Sequence, residues 1–222
     1  MIGGVARPSI AVRRYHSRVN SPSFPKRDPA GPEFWDLRYE ARFAPWDAGR
    51  VPADLACFLA GRTPGKALVP GCGSGHEVRA LAEAGWEVLG IDFSAQALAA
   101  ARKVVGPWHE RLRQADFFGP LPEAPFDLVY ERAFLCALPR RMWGEWAQRM
   151  AELMKPGGLL AGFFFIAEGD RGPPFPLHDD AELAALLGAD FECTEDRPAE
   201  GSIDVFAGHE RWQEWRRRVE PR

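Results

Sequence analysis

An apolar run, Lys66-Ala67-Leu68-Val69-Pro70, breaks into Gly71-Cys72-Gly73-Ser74-Gly75 and continues into an amphipathic segment that opens His76-Glu77-Val78. A second apolar run, Val88-Leu89-Gly90-Ile91, ends in Asp92. Strand, glycine turn, helix, strand and terminal acid form the frame of a doubly wound nucleotide-binding sheet, the acid falling about twenty residues after the turn. Glycine is needed where a ligand approaches the backbone so closely that a Cβ would collide. The N–H groups that begin the next helix favour an anionic group. A carboxylate at the end of the second strand suits the two donors of a ribose diol. The plain alternative is a tight strand-to-helix turn that binds nothing.

A chain of 222 residues suits one domain with a full core. Its net charge of -3 argues against a nucleic-acid partner held mainly by a basic surface. The longest apolar run, Leu159 to Ala167, is too short to span a membrane. Cys57, Cys72, Cys136 and Cys193 are widely spaced and lack metal-ligand spacing, so no metal is expected. Free thiols in a reducing, cytoplasmic setting are the simple reading. Residues 1–30 carry Arg7, Arg13, Arg14, Arg18, Lys26 and Arg27, with no acid before Asp28 and with prolines at 8, 22, 25 and 29. They read as a disordered basic tail, with a transit peptide or an upstream start as alternatives. Residues 31–222 read as the folded domain.

From Pro32 the texture changes. Trp35 and Tyr39 stand four apart on one helical face, and Phe43 to Arg50 forms a turn-rich loop holding Trp46. These aromatics either form a lid over a ligand or cover the sheet as core. Val51 to Arg62 is a helix, and His76 to Ala84 is the next, closed by Gly85 as a left-handed cap. Ser94 caps a helix from Ala95 to Val105. A short third strand, Arg111 to Ala115, leads to Asp116-Phe117-Phe118. Strand four, Phe126 to Tyr130, opens onto Glu131-Arg132-Ala133-Phe134-Leu135-Cys136-Ala137-Leu138. A helix from Pro139 places Trp143, Trp146, Met150 and Leu153 on one face. Strand five, Leu159 to Ala167, is apolar enough to be buried on both faces. Asp179 or Asp180 caps a short helix through Leu183, Leu186 and Leu187. Phe191 to Asp196 and Ser202 to Phe206 are expected as a hairpin. Trp212 and Trp215, three apart in the basic stretch from Glu210 to Val219, predict a helix packing both indoles on the domain.

Alternating strands and helices that end in an antiparallel hairpin, with no residues left for a second nucleotide half, match the class I S-adenosylmethionine (SAM) methyltransferases. The expected architecture is α/β and Rossmann-like: a seven-stranded, mainly parallel sheet with a C-terminal antiparallel strand and helices on both faces. In that class the glycine turn faces the methionine end of SAM and the strand-two acid holds the ribose. Asp116 and Phe117 then flank the adenine, with core packing as the alternative for Phe117.

Phe34-Trp35, Pro45-Trp46-Asp47-Ala48-Gly49-Arg50, Leu68 to His76, Phe134-Leu135-Cys136-Ala137 and Gly172-Pro173-Pro174-Phe175 together resemble the thiopurine S-methyltransferase family. They are most similar to its branch acting on thiols, thiocyanate and halides. The likeness spans about residues 33–210, in family order. It implies that Trp35, Tyr39 and Trp46 close over SAM, with Tyr39 standing where some relatives have tryptophan. It implies that Gly71, Gly73 and Gly75 line the methionine end, Asp92 takes the ribose, and Asp116 and Phe117 the adenine side. Arg132 matches an arginine that thiopurine enzymes place at the junction of substrate and cofactor. The thiol and halide branch often has tyrosine there, so the chain mixes two patterns.

Methyl transfer from a sulfonium to sulfur is an in-line displacement. A thiol of pKa near 8.5 is already partly ionised at neutral pH, so proximity, alignment and exclusion of water supply most of the rate. No essential base is expected. Arg132 is the candidate catalytic residue, stabilising a thiolate by charge. Trp46, Phe134 and Phe175 are the candidate substrate-contacting residues in an apolar, π-rich chamber that also tolerates the cation. His178 is a possible proton acceptor, or simply an exposed neighbour of the Asp179 cap. Glu131 can orient Arg132 or help hold the N-terminal segment. The expected partner is a small thiol or anionic sulfur compound, and the protein a monomer or small homo-oligomer. The alternatives are methyl transfer to halide, thiocyanate, oxygen, nitrogen or a macromolecule, and a non-catalytic SAM-binding protein. Tyr130-Glu131-Arg132-Ala133 in place of an Asn/Asp-Pro-Pro-aromatic site counts against amino-group chemistry.

Overall fold

A computed structural model of the protein describes residues 22–220. Strands β1 (Lys66–Pro70), β2 (Glu87–Asp92), β3 (Leu112–Gln114), β4 (Phe126–Arg132), β5 (Met154–Phe165), β6 (Phe191–Pro198) and β7 (Glu210–Arg217) form one sheet in the order β3-β2-β1-β4-β5-β7-β6. The first five run parallel, and β7 is inserted antiparallel between β5 and β6. The order reverses between β1 and β4, the switch point at which open α/β sheets bind ligands beyond the strand ends.

Helices cover both faces. Leu55 and Phe58 of α2 (Ala53–Leu59), Val78 and Leu81 of α3 (His76–Glu83), and Leu98 and Val105 of α4 (Ala95–Val105) pack on one side with Val69, Tyr130 and Trp212. On the other side Trp143, Trp146 and Met150 of α5 (Trp143–Leu153) pack with Leu160, Phe164 and Trp215. Leu183 and Leu187 of α6 (Asp180–Leu187) join them. The predicted caps are in place: the Ser94 hydroxyl accepts from the Ala97 N–H, and Asp179, not Asp180, accepts from Glu182. The remaining helix, α1 (Pro32–Glu40), lies against α4 at the ligand side of the sheet.

The C-terminus departs from the sequence expectation. Ser202 to Phe206 is a turn-rich loop, and the stretch expected as a helix is strand β7, between β5 and β6. Two tryptophans three apart look helical, but in a strand they fall on opposite faces. Trp212 packs on Phe58 and Phe163, and Trp215 joins the core under α5. Each indole donates to a side chain two residues away on its own face: Trp215 to Gln213 at 2.9 Å and Trp212 to Glu214 at 3.4 Å. The strand is polar in composition yet buried on both sides, because Asp196 and Arg62 satisfy Gln213 and Glu214. Its polarity hid its burial.

Of the stretch read as a disordered tail, residues 1–21 lie outside the described residues. Residues 22–30 have no helix or strand but rest on the domain. Phe24 packs on Phe43 at 5.7 Å between ring centroids, and Asp28 pairs with Arg141 at 2.6 Å. Among the described residues, no helix is long and apolar enough to cross a membrane.

Candidate active site

The C-terminal ends of β1, β2 and β4 open onto a cavity of about 950 Å³, within the usual size of a small-molecule site. Trp35, Tyr39, Trp46, Gly71, Gly73, Asp92, Asp116, Phe117, Arg132 and Phe134 all line it.

The glycine turn forms its floor. Gly71 and Gly73 have φ of +57° and +52°. A Cβ on Gly71 would stand 2.5 Å from the Phe134 ring, and one on Gly73 would stand 2.7 Å from the Tyr39 hydroxyl. Gly75 does not reach the cavity. Its φ is +78°, and a Cβ there would meet Val105 at 2.9 Å and Ala101 at 3.1 Å, both on α4. It is a packing glycine that lets α3 and α4 approach, not part of the methionine-end lining.

Asp92 ends β2. Its Oδ2 accepts from the Gly73 N–H at 3.1 Å and its Oδ1 from the Ser94 N–H at 2.9 Å. Burial raises its pKa to about 6 even so, because desolvation of the charge outweighs the donors. Asp116 spends Oδ1 on the Phe118 N–H at 3.0 Å, closing an Asx turn beside the cavity. Phe117 is 4% exposed, packs edge-on to Phe118 and Phe134 as core, and also lines the cavity.

The N-terminal segment roofs the cavity. Trp35 meets Trp46 edge-on at 5.4 Å, and the Trp46 indole N–H lies 3.4 Å from the Tyr39 hydroxyl oxygen. Burial, with Asp92 and Asp47 nearby, pushes the Tyr39 phenol well above its ordinary range. Asp36 fastens this roof. Its Oδ1 accepts from the Ser94 hydroxyl at 2.5 Å and from the Gln96 N–H at 3.1 Å, next to Asp92.

Arg132 ends β4 with its side chain 9% exposed. Its guanidinium lies 3.9 Å over the Phe163 ring, and Nη1 is 3.6 Å from Glu210 Oε1. Neither Nη1 nor Nη2 has a hydrogen-bond partner among the described residues. The carboxylate facing it is therefore Glu210 on β7, not the adjacent Glu131. Glu131 Oε1 accepts from the Phe134 N–H at 2.8 Å and the Leu135 N–H at 3.0 Å. It shapes the turn that carries Ala133 at φ 55° and aims Phe134 into the cavity. Burial lifts its pKa to about 7. Glu210 and the cavity-lining Glu77 are also raised by burial, with Arg132 opposing the shift in each. Sequence reading missed Glu210, which has no local motif and reaches Arg132 only because β7 is inserted beside β5.

Phe134, Cys136, Leu138, Met142, Pro174, Val205 and Phe206 make the far wall apolar. Phe175 is not among them. Its N–H donates to the Cys136 carbonyl at 2.7 Å, and its ring tucks under Gly172 into the core. Gly172, Pro173 and Pro174 face the cavity in its place. His178 stands outside the cavity, half exposed, with Nε2 3.0 Å from Asp170. Among the described residues no group of three or more His, Cys, Asp or Glu is arranged to hold a metal.

These residues fit SAM. Two glycines line the cavity where a Cβ would push Phe134 and Tyr39 aside, a buried acid with raised pKa stands at the end of β2, and two buried guanidinium nitrogens make no hydrogen bond among the described residues. A seven-stranded sheet of this order with this site defines a class I SAM-dependent methyltransferase. The 1,6-didemethyltoxoflavin-N1-methyltransferase of Burkholderia thailandensis shares the fold, with a TM-score of 0.71 over 92% of this chain and 99% of that one, at 19% identity. The thiopurine S-methyltransferase (TPMT) family profile matches residues 30–218, and the chain belongs to that family. It is 33% identical over 190 residues to probable thiol methyltransferase 2 of Arabidopsis thaliana, covering 82% of this chain and 84% of the relative. It is 34% identical over 177 residues to the thiopurine S-methyltransferase of Vibrio cholerae serotype O1 (strain M66-2), covering 70% and 80%. The enzyme is a methyltransferase and its cofactor is SAM.

Proposed function

We propose that this enzyme transfers a methyl group to the sulfur of a small thiol or sulfur anion. The observation that carries this reading is Arg132: a buried guanidinium, 3.6 Å from Glu210, whose two Nη atoms make no hydrogen bond among the described residues, beside an otherwise aromatic and apolar wall. Bound here, SAM supplies an electrophilic methyl group on a sulfonium. Asp92 holds the ribose, Asp116 and Phe117 flank the adenine, and Gly71 and Gly73 admit the methionine portion. Trp35, Tyr39 and Trp46 close over the site, present π faces to the cation and exclude water. Arg132 attracts the sulfur as thiolate and raises its reactive fraction. Phe134 and Trp46 hold the acceptor in line. Relatives described as thiol and thiopurine methyltransferases support a sulfur acceptor.

The reading extends to a cytoplasmic monomer or small homo-oligomer; four free thiols support a reducing compartment. The test is a SAM-dependent methylation screen with hydrogen sulfide, methanethiol, aryl thiols, a thiopurine, thiocyanate and iodide beside phenol and amine acceptors. Turnover of the sulfur acceptors is expected. Turnover confined to oxygen or nitrogen acceptors would overturn the reading.

A further inference from the structure

Asp47 and His76 face each other in the same cavity, and the mechanism above leaves both unused. Asp47 follows Trp46 in the roof; His76 opens α3 directly after the glycine turn. Nε2 of the imidazole lies 3.6 Å from Asp47 Oδ1, with the side chains 20% and 23% exposed. Nδ1 makes no hydrogen bond among the described residues. An imidazole that faces a carboxylate at one nitrogen and is open at the other has the arrangement of a proton acceptor.

The surrounding charges place this pair along the cavity. Asp47 and Asp92 both act on Tyr39, from the roof and from the end of β2. Glu77, adjacent to His76 on α3, feels Arg132, His76 and Asp47 together. The pair therefore shares Tyr39 as a neighbour with Asp92 and Glu77 as a neighbour with Arg132, and all of these residues line one cavity. The titratable and charged groups facing it are Asp47 and Tyr39 from the roof, Glu77 from α3, Asp92 from β2 and Arg132 from β4.

We propose that His76, oriented by Asp47, accepts the proton of thiol substrates that reach the site un-ionised. The inference rests on the sulfur-acceptor reading and deepens it. The S–H bond breaks as its proton passes to Nδ1 of the neutral imidazole, and the electron pair stays on sulfur. That pair forms the new S–CH3 bond, while the pair of the breaking sulfonium C–S bond remains on the donor sulfur. Asp47 stabilises the imidazolium, which later loses its proton to water. Arg132 and His76 divide the work: one stabilises an anion, the other makes it. An acidic aryl thiol or thiocyanate needs only the first, whereas hydrogen sulfide and alkyl thiols use both.

The test varies acceptor acidity. His76→Ala and Asp47→Asn are compared with the unmodified enzyme at pH 7 on 2-mercaptoethanol, mostly protonated, and on 4-nitrothiophenol, mostly ionised. In His76→Ala, kcat/KM should fall about 100-fold with 2-mercaptoethanol and less than about fivefold with 4-nitrothiophenol. The larger loss should shrink toward pH 9, where more alkyl thiol is ionised. Asp47→Asn should show the same acceptor-dependent pattern to a smaller extent, and calorimetry should show SAM binding retained in both variants. Should His76→Ala fail to fold, His76→Gln repeats the comparison with a similar volume and no basic nitrogen. Equal losses with both thiols, or an alkyl-thiol loss that does not shrink toward pH 9, would overturn the inference while leaving the sulfur reading intact. An unmodified enzyme inactive on every sulfur acceptor would sink both.

Discussion

At the proposed ribose end, Asp92 receives N–H groups from Gly73 and Ser94, and every participating group belongs to β1, β2 or the turns that leave them. At the proposed acceptor end, Arg132 lies over Phe163 of β5 and opposite Glu210 of β7, and among the described residues neither Nη atom makes a hydrogen bond. Its walls come from segments far apart in the chain: the roof, the turn after β4, the proline loop and the Val205-Phe206 loop. One end is a local backbone motif, complete before ligand arrives. The other is assembled from loops around a guanidinium that faces Glu210 yet has hydrogen-bond donors to spare, and those donors are where substrate discrimination can act. A site built to satisfy a buried charge penalises an acceptor that leaves it unpaired.

Breaking each end separately tests this contrast. The largest effect is expected from Arg132→Ala: thiol kcat/KM falls about 100- to 1,000-fold, as on loss of a preorganised charge, while SAM affinity by calorimetry changes far less. Equal losses would return Arg132 to the cofactor or the fold. Asp92→Asn should do the reverse. SAM binding weakens by roughly 10- to 100-fold, the worth of a charged hydrogen bond, with the thiol KM little changed. Gly73→Ala and Gly75→Ala sharpen the contrast within one turn. Both residues have positive φ, so both variants lose stability. Only Gly73→Ala, whose Cβ crowds the cavity and Tyr39, should raise the KM for SAM. Gly75→Ala, crowding α4, should lower Tm by several degrees with the KM unchanged.

The smallest effect concerns pH. Glu131 is raised from 4.5 to about 7 and Asp92 from 3.8 to about 6. Both acids hold a proton more tightly folded than unfolded, so stability declines as pH rises from about 4 to 7. Glu131→Gln keeps an acceptor for the Phe134 and Leu135 N–H groups and should flatten the upper part of that decline. A Tm profile identical to that of the unmodified protein would contradict the assignment. SAM binding shifts the balance at Asp92 the other way, because a diol favours the ionised carboxylate, so affinity should weaken as pH falls below about 6.

Much of the cofactor end follows from local sequence. Strand, glycine turn and terminal acid are contiguous, and the Ser94 and Asp179 caps rest on interactions within three residues. The apolar face of α5 follows from its 3.6-residue period. Three features resist such reading. Gly75 has the same motif position logic as its neighbours, yet its contact is with α4. Phe175 belongs to a motif whose neighbours face the cavity, and only the hydrogen bond to Cys136 turns its ring inward. The Trp212 and Trp215 spacing fits a helix as well as a strand buried on both faces, and local pattern has no means to choose.

The sequence alone determined the parallel part of the sheet, the acid that ends its second strand and the family, because those depend on short backbone motifs whose geometry is set within a few residues. Tertiary structure alone decided that β7 enters the sheet, that Glu210 faces Arg132, and that Asp47 meets His76 across the cavity. Each of these is a contact between segments distant in the chain. Such contacts are selected by which faces the folded core leaves to be buried and which charges it leaves to be matched.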